Sequence, residues 1–365
     1  MNNNHPWQGL SDSVSGGMPS VAFYSLNLED GGVNARFGGM YRSFFRALQA
    51  KGVRVTYHSL GQRILEDVVV LPMGGGQEYR SLAALRDYFG AVVLYVPPAS
   101  EWFDAAVLSC LRPIVLFAYG TDASSASVAA YGGIGIDYLC LPFASDPTVM
   151  RPLDLLPSYD VAFVGSAGHA PRRAEFLAPL LRAFPPGRVL VVGSGWESFG
   201  IAEQQLEWGS LLNIVYNLAA VCVNVHGDEQ VRGRDRQTDA NNRLFDLAMA
   251  GRCQVSDNQT LVRDYFSPDE VATANEPQAW VQRVVELVAK PEAATEYGTR
   301  ARSRALDSHT WDERAGAFVA HMNRRLVGWC AAKRGRPTIG PVLRARIAAD
   351  HFQRRASRTK GGLGG

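Results

Sequence analysis

Three places in the second half of the chain carry residue types that could hold a phosphorylated ligand. In Asn241-Asn242-Arg243-Leu244-Phe245-Asp246, Leu244 and Leu247 fall on an inward face at helical spacing. Arg243 and Asp246 share a neighbouring face near the helix start. A guanidinium there suits a diphosphate, and a carboxylate one turn on suits paired ribose hydroxyls. An i,i+3 surface ion pair beside a capped helix start would use the same residues.

The second place is Phe163-Val164-Gly165-Ser166 followed by Arg172 and Arg173. A Gly/Ser turn after a strand lets a phosphate approach backbone N–H groups, and an arginine adds charge-assisted bonds. A plain β-α turn with surface arginines is the competing reading. The third place is Val192-Gly193-Ser194-Gly195-Trp196, where glycines permit close approach of a nucleotide and the indole could line its base. Gly200 arrives too late for a G-x-G-x-x-G dinucleotide fingerprint. His226, at the end of Val221–Val225, could reach a sugar or a diphosphate.

A transfer reaction also needs a base near the acceptor. The loop Glu29-Asp30-Gly31-Gly32 follows the first expected strand, and Asp122 follows Phe117–Thr121, so these three carboxylates are the candidates. Turn formation or helix capping is the ordinary use of each.

The elements that must position these groups alternate throughout. Apolar strands are expected at Ser20–Leu26, Val53–Tyr57, Val68–Leu71, Ala91–Val96, Ile114–Phe117 and Asp137–Leu141. They resume at Asp160–Val164, Arg188–Val192, Val221–Val225 and Cys253–Val255. Helical patterns lie between them, near 36–51, 80–89, 101–111, 172–184, 211 and 241–250. Near-continuous apolar strands separated by amphipathic helices predict parallel sheets covered on both faces, in two doubly wound domains. From Pro277 the pattern is wholly helical. The boundaries drawn are 1–19 as a disordered start, 20–145 as the first domain, 146–158 as a Pro-punctuated linker, 159–330 as the second domain with closing helices, and 331–365 as a basic tail.

Composition narrows the function classes. The chain has 365 residues, 47% hydrophobic and 20% charged, with a formal net charge of +2. That is a globular balance, far from the basic surface of a nucleic-acid binder. Nine cations between Lys333 and Lys360 face one acid, Asp350. That arm is read as a solvated end or as a contact for an anionic membrane face. The five cysteines are scattered without metal-ligand spacing, so no zinc site or disulfide framework is expected. The start lacks the apolar core of a signal peptide, and a cytoplasmic location is the expectation.

The ordered set of Asp160–Ser166 with Arg172 or Arg173, Gly193–Trp196, Val223–His226, Asn242–Asp246 with Gly251, and His309–Trp311 with Arg314 resembles the CgeB-type glycosyltransferases. The likeness covers about 141–321. It implies a GT-B fold, two Rossmann-like domains facing a central cleft, with a nucleotide-sugar donor on the second domain and an acceptor mainly on the first. It also implies donor contacts from Gly165, Ser166, Arg172, Arg173, Gly193, Gly195, Trp196, His226, Asn242, Arg243 and Asp246. Where such proteins carry Arg-x-Phe-Glu, this chain has aspartate at 246, which keeps the charge and shortens the reach. With no Asp-x-Asp motif, arginines and helix dipoles would neutralise the leaving group, so no metal and no cofactor is expected. The alternatives are an NAD(P)- or flavin-dependent oxidoreductase and a non-catalytic sugar-nucleotide-binding relative.

Overall fold

The computed structural model describes residues 18–24, 33–58, 62–73, 82, 85, 88, 90–99, 103–167, 171–204, 206, 209–227 and 239–332. The sites proposed at Glu29 and Asp30 and the basic tail from Lys333 lie outside the described residues.

The first sheet is built from β1 (Ser20–Tyr24), β2 (Arg54–His58), β3 (Val68–Pro72), β4 (Ala91–Tyr95), β5 (Val115–Gly120) and β6 (Tyr138–Cys140). Its order is β2-β1-β3-β4-β5-β6, and all pairings are parallel. Helices α1 (Val33–Ala50), α2 (Ala105–Leu111) and α3 (Ser125–Gly133) belong to its crossovers. Strands β1, β3 and β4 are buried almost end to end, as a sheet covered on both faces requires.

The second sheet contains β7 (Tyr159–Val164), β8 (Val189–Val192), β9 (Ala219–Asn224), β10 (Cys253–Ser256) and β11 (Ala272–Thr273). Its order is β11-β10-β9-β7-β8, again wholly parallel. Around it stand α4 (Pro171–Ala183), α5 (Ser210–Asn217), α6 (Asn242–Met249), α7 (Gln259–Arg263), α8 (Pro277–Val288) and α9 (Pro291–Ser308), and α10 (Trp311–Ala332) closes the described chain. Phe176 of α4 meets Trp280 of α8 edge-on at 5.4 Å within this core.

In each sheet the chain adds a strand on one side of the first, then reverses to build outward on the other. The reversal falls between β1 and β3 and again between β7 and β9. Crevices for ligands open at the carboxyl ends of the strands flanking such a reversal. The loops after β7 and β9 are Gly165-Ser166 and Val225-His226.

The compact units are not contiguous in sequence, unlike the contiguous domains drawn above. One takes its residues from 1–30, 48–141 and 316–365, the other from 31–47 and 142–315. The reason is helix length. Helix α10 has 22 residues, about 33 Å of rise. In the second unit its Trp311 packs on Phe44 at 5.5 Å. In the first unit its Phe318 meets Phe117 and Tyr119, each at 5.5 Å.

The expected linker is also an ordered part of the second unit. Asn213 and Asn217, one turn apart on α5, satisfy its backbone: Arg151 N–H donates to Asn213 Oδ1 at 3.0 Å, and Leu153 N–H to Asn217 Oδ1 at 2.8 Å. Among the described residues no helix is long and apolar enough to cross a membrane.

Candidate functional site

The arginine of α6 reaches the reversal point directly. Asn241 caps the helix, its side chain accepting from Leu244 N–H at 3.1 Å. This fixes the first turn and aims Arg243 across the ends of β7 and β9. The guanidinium lies over the Phe163 ring at 4.9 Å, and Nη1 donates to Asn224 Oδ1 at 2.9 Å and Val225 O at 3.4 Å. Burial lowers its pKa from the usual guanidinium value, yet it stays a cation. Gly165 leaves the room for this approach, since a Cβ there would stand 2.7 Å from Arg243 Nη2.

Two further cations come from α4. Arg173 donates through Nη1 to Ser166 O at 2.8 Å and through Nε to Val225 O at 3.3 Å, tying the two strand ends together. Arg172 is ion-paired with Asp257, keeps 30% of its side chain exposed, and lies 4.8 Å over Phe176.

Asp257 was not singled out by sequence, and it organises the site. It follows β10 and is wholly buried. Oδ1 accepts from the backbone N–H of His226 at 3.0 Å and lies 2.6 Å from His226 Nδ1, while Oδ2 takes Arg172. Burial opposes charge on this carboxyl, but His226 and Arg172 outweigh it and hold its pKa below the ordinary carboxylate range. Asn224 was missed too; besides Arg243 it accepts Asn241 Nδ2 at 3.0 Å and donates to Ser256 Oγ at 3.1 Å.

Several expected donor contacts have other employment. Gly165 N–H donates to Val192 O at 2.7 Å and Ala167 N–H to Ser194 O at 2.8 Å, so these amides of the turn are already used. Ser194 Oγ donates to Ser166 Oγ at 3.0 Å. The loops after β7 and β8 are thus stitched to each other. Gly193 has φ +148°, and a Cβ on it would sit 2.2 Å from Gly165 O. Its glycine serves loop-on-loop packing, and the turn holding Gly195 is not a cradle open to a dinucleotide. Gly193→Ala is expected to cost about 2 kcal/mol of stability, measured by denaturant unfolding.

Trp196, expected to line a base, is fully buried, with Nε1 donating to Gly165 O at 2.7 Å and its ring edge-on to Phe163 at 5.8 Å. Asp246, expected at the ribose, is fully buried as well. Its Oδ1 accepts Ser145 Oγ at 2.6 Å and its Oδ2 accepts Asn242 Nδ2 at 3.1 Å. These two residues therefore brace the site from behind.

In the first unit, Asp122 is buried and committed to the start of α3. It accepts Ser124 N–H at 2.9 Å and Ser124 Oγ at 2.7 Å, and also bonds Ser127 Oγ. These bonds hold Ser124, whose side chain caps α3, and Ser127 in its first turn. Among the described residues no group of three or more His, Cys, Asp or Glu side chains is placed to hold a metal ion.

Residues 172–320 match the sequence model of a family described as glycosyl transferase-like. The matched segment includes Arg172, Arg173, His226, Arg243 and Asp257 and begins beyond Gly165 and Ser166. The fold is GT-B. The sucrose-phosphate synthase of Thermosynechococcus elongatus superposes with a TM-score of 0.57 at 14% identity, over 85% of this chain and 99% of that one. T4 phage BGT, solved with its UDP-glucose substrate, gives 0.55 at 11% identity, over 83% and 99%. Anabaena Alr3699/HepE, solved with UDP and glucose, gives 0.53 at 11%, over 86% and 99%. At such identities the likeness is one of fold. No curated protein matches the chain in sequence.

Proposed function

We propose that this chain is a glycosyltransferase that binds a nucleotide-sugar donor on its second unit and moves the sugar to an acceptor. The observation that carries the reading is the gathering of Arg172, Arg173 and Arg243 around the ends of β7 and β9, within the segment that matches the glycosyl transferase-like family. A departing nucleoside diphosphate is the anion such a cluster would neutralise. The closed Gly193 turn weighs against the dinucleotide-dependent oxidoreductase. The motif series that resembles the CgeB type makes that subfamily the reading to test first.

The arginines would do the work of a divalent cation, so turnover is proposed to be metal-independent. Nucleotide release from a panel of sugar donors should be unchanged in excess EDTA, and loss of activity there would overturn this part. Two of the neighbours were solved with UDP or UDP-glucose, which makes uridine the base to try first. Arg243→Ala should weaken nucleoside diphosphate binding by about tenfold, or 1.4 kcal/mol, in calorimetric titration. If the intact protein binds no nucleoside diphosphate, the proposal falls. If it binds one and transfers no sugar, the non-catalytic reading takes its place. Glu29, Asp30 and Asp122 are the carboxylates to replace in search of the base.

A further inference from the structure

Among the exposed large apolar side chains of the described residues, Phe199 is the one aromatic, with 37% of its surface open. It follows β8, in the single turn of 3-10 helix Glu197–Phe199. The turn is anchored to Trp196: Phe199 N–H donates to Trp196 O at 2.9 Å, and Ile201 N–H reaches the same oxygen at 3.4 Å. Gly200, at φ +73°, closes the turn by donating to Glu197 O at 3.0 Å. The phenyl ring rests on the buried Trp196 indole, 5.7 Å between centroids. A free surface side chain gives up rotamer freedom when a ligand immobilises it, whereas one already seated on a buried ring gives up little.

That seat leads back to the arginines. Trp196 meets Phe163 edge-on at 5.8 Å, and the Arg243 guanidinium lies 4.9 Å over the Phe163 ring. Strands β7 and β8 are neighbours, about 4.8 Å apart, so Phe199 stands one strand outward from the end of β7, at the same carboxyl edge of the sheet. The loop that carries it is fixed at both ends, by Gln204 N–H donating to Gly193 O at 3.3 Å and by Trp196 Nε1 donating to Gly165 O. A ligand with an anionic end and a flat aromatic end, joined by a short spacer, matches this layout. A bare phosphate or a sugar phosphate would leave the ring unused.

We propose that Phe199 is the stacking platform for the donor's nucleobase, with Trp196 as the positioning residue beneath it. This rests on the donor-binding reading above and assigns the base its place, outward of the diphosphate on the β8 side. A phenyl ring stacks on the face of any base and reads none of its edges. It therefore supplies affinity without choosing between uracil, thymine, guanine and adenine. Trp196, wholly buried, acts only through the ring that it holds.

The test is calorimetric titration of the full-length protein with UDP, dTDP, GDP and ADP. Phe199→Ala should weaken every nucleoside diphosphate that the parent binds by about tenfold. Phe199→Leu should weaken it nearly as much, because leucine keeps apolar bulk and loses the ring face, and Phe199→Tyr should bind as the parent does. Inorganic pyrophosphate, which carries no base, should compete for the site equally well in the parent and in Phe199→Ala. Undiminished nucleoside diphosphate binding by Phe199→Ala or by Phe199→Leu, or an equal loss for pyrophosphate, overturns the platform and leaves the donor-binding reading intact. No binding of any nucleoside diphosphate by the parent overturns both. If Phe199→Ala unfolds, Phe199→Leu decides, read against Phe199→Tyr.

Discussion

Asp257→Ala is expected to lower the unfolding free energy by about 3 kcal/mol, because it strips the partner from two buried donors, the backbone N–H and Nδ1–H of His226. Each buried donor left unsatisfied costs about 1–3 kcal/mol. Arg172 adds little to the loss, since its partly exposed side chain can turn to water. Asp257→Asn keeps an acceptor of similar shape and should cost clearly less. Denaturant unfolding of both variants checks the ranking, and an alanine variant as stable as the parent would remove Asp257 from its central place.

Acid should destabilise the second unit through His309. The residue ends α9, with Nε2 donating to Tyr265 O at 3.1 Å and Nδ1 accepting from Arg314 Nη2 at 3.2 Å. Its ring is packed among Phe245, Tyr265 and Phe266. Burial, with Arg314 and Arg304 nearby, pushes its pKa down to about 4. An unfolded chain takes up that proton near pH 6.5, whereas the folded one resists until about pH 4. The stabilisation is therefore complete above pH 6.5 and lost as pH falls toward 4, by about 3 kcal/mol. His309→Gln should flatten that stretch of the stability–pH curve, and an unchanged slope would assign the acid sensitivity elsewhere. The effect bears on the site because Ser145 bonds His309 O through its backbone and Asp246 through its hydroxyl.

The sheets were readable because their strands are nearly unbroken apolar runs, and periodicity records burial on both faces. Helix α9 left a weaker trace. It buries Ala294, Gly298, Ala301 and Ala305, a stripe too small to stand out by hydrophobicity. Its glycine is needed because a Cβ there would meet Gly251 O at 2.2 Å. In the site, Arg243 could be placed from the Asn241 cap and the helix start. Asp257 could not: its partners lie 31 and 85 residues away, and no local pattern marks a lone aspartate after a strand. The burial of Trp196 and Asp246 was hidden for the converse reason. A Gly-Ser-Gly neighbour and a helix-start position suggest exposure, whereas tertiary packing encloses both.

Helix α10 sets an order of assembly during synthesis. Its Phe318, Met322 and Leu326 are core residues of the unit made first, yet they are among the last described residues to be translated. A ribosome-bound chain that has emerged only to residue 141 lacks them, so the unit begun earliest is finished latest, after the stretch 142–315 has been made. For the same reason no single cut yields two self-sufficient fragments. Expression of the front half alone should give a species with an open apolar face where Phe117 waits for the helix that carries Phe318.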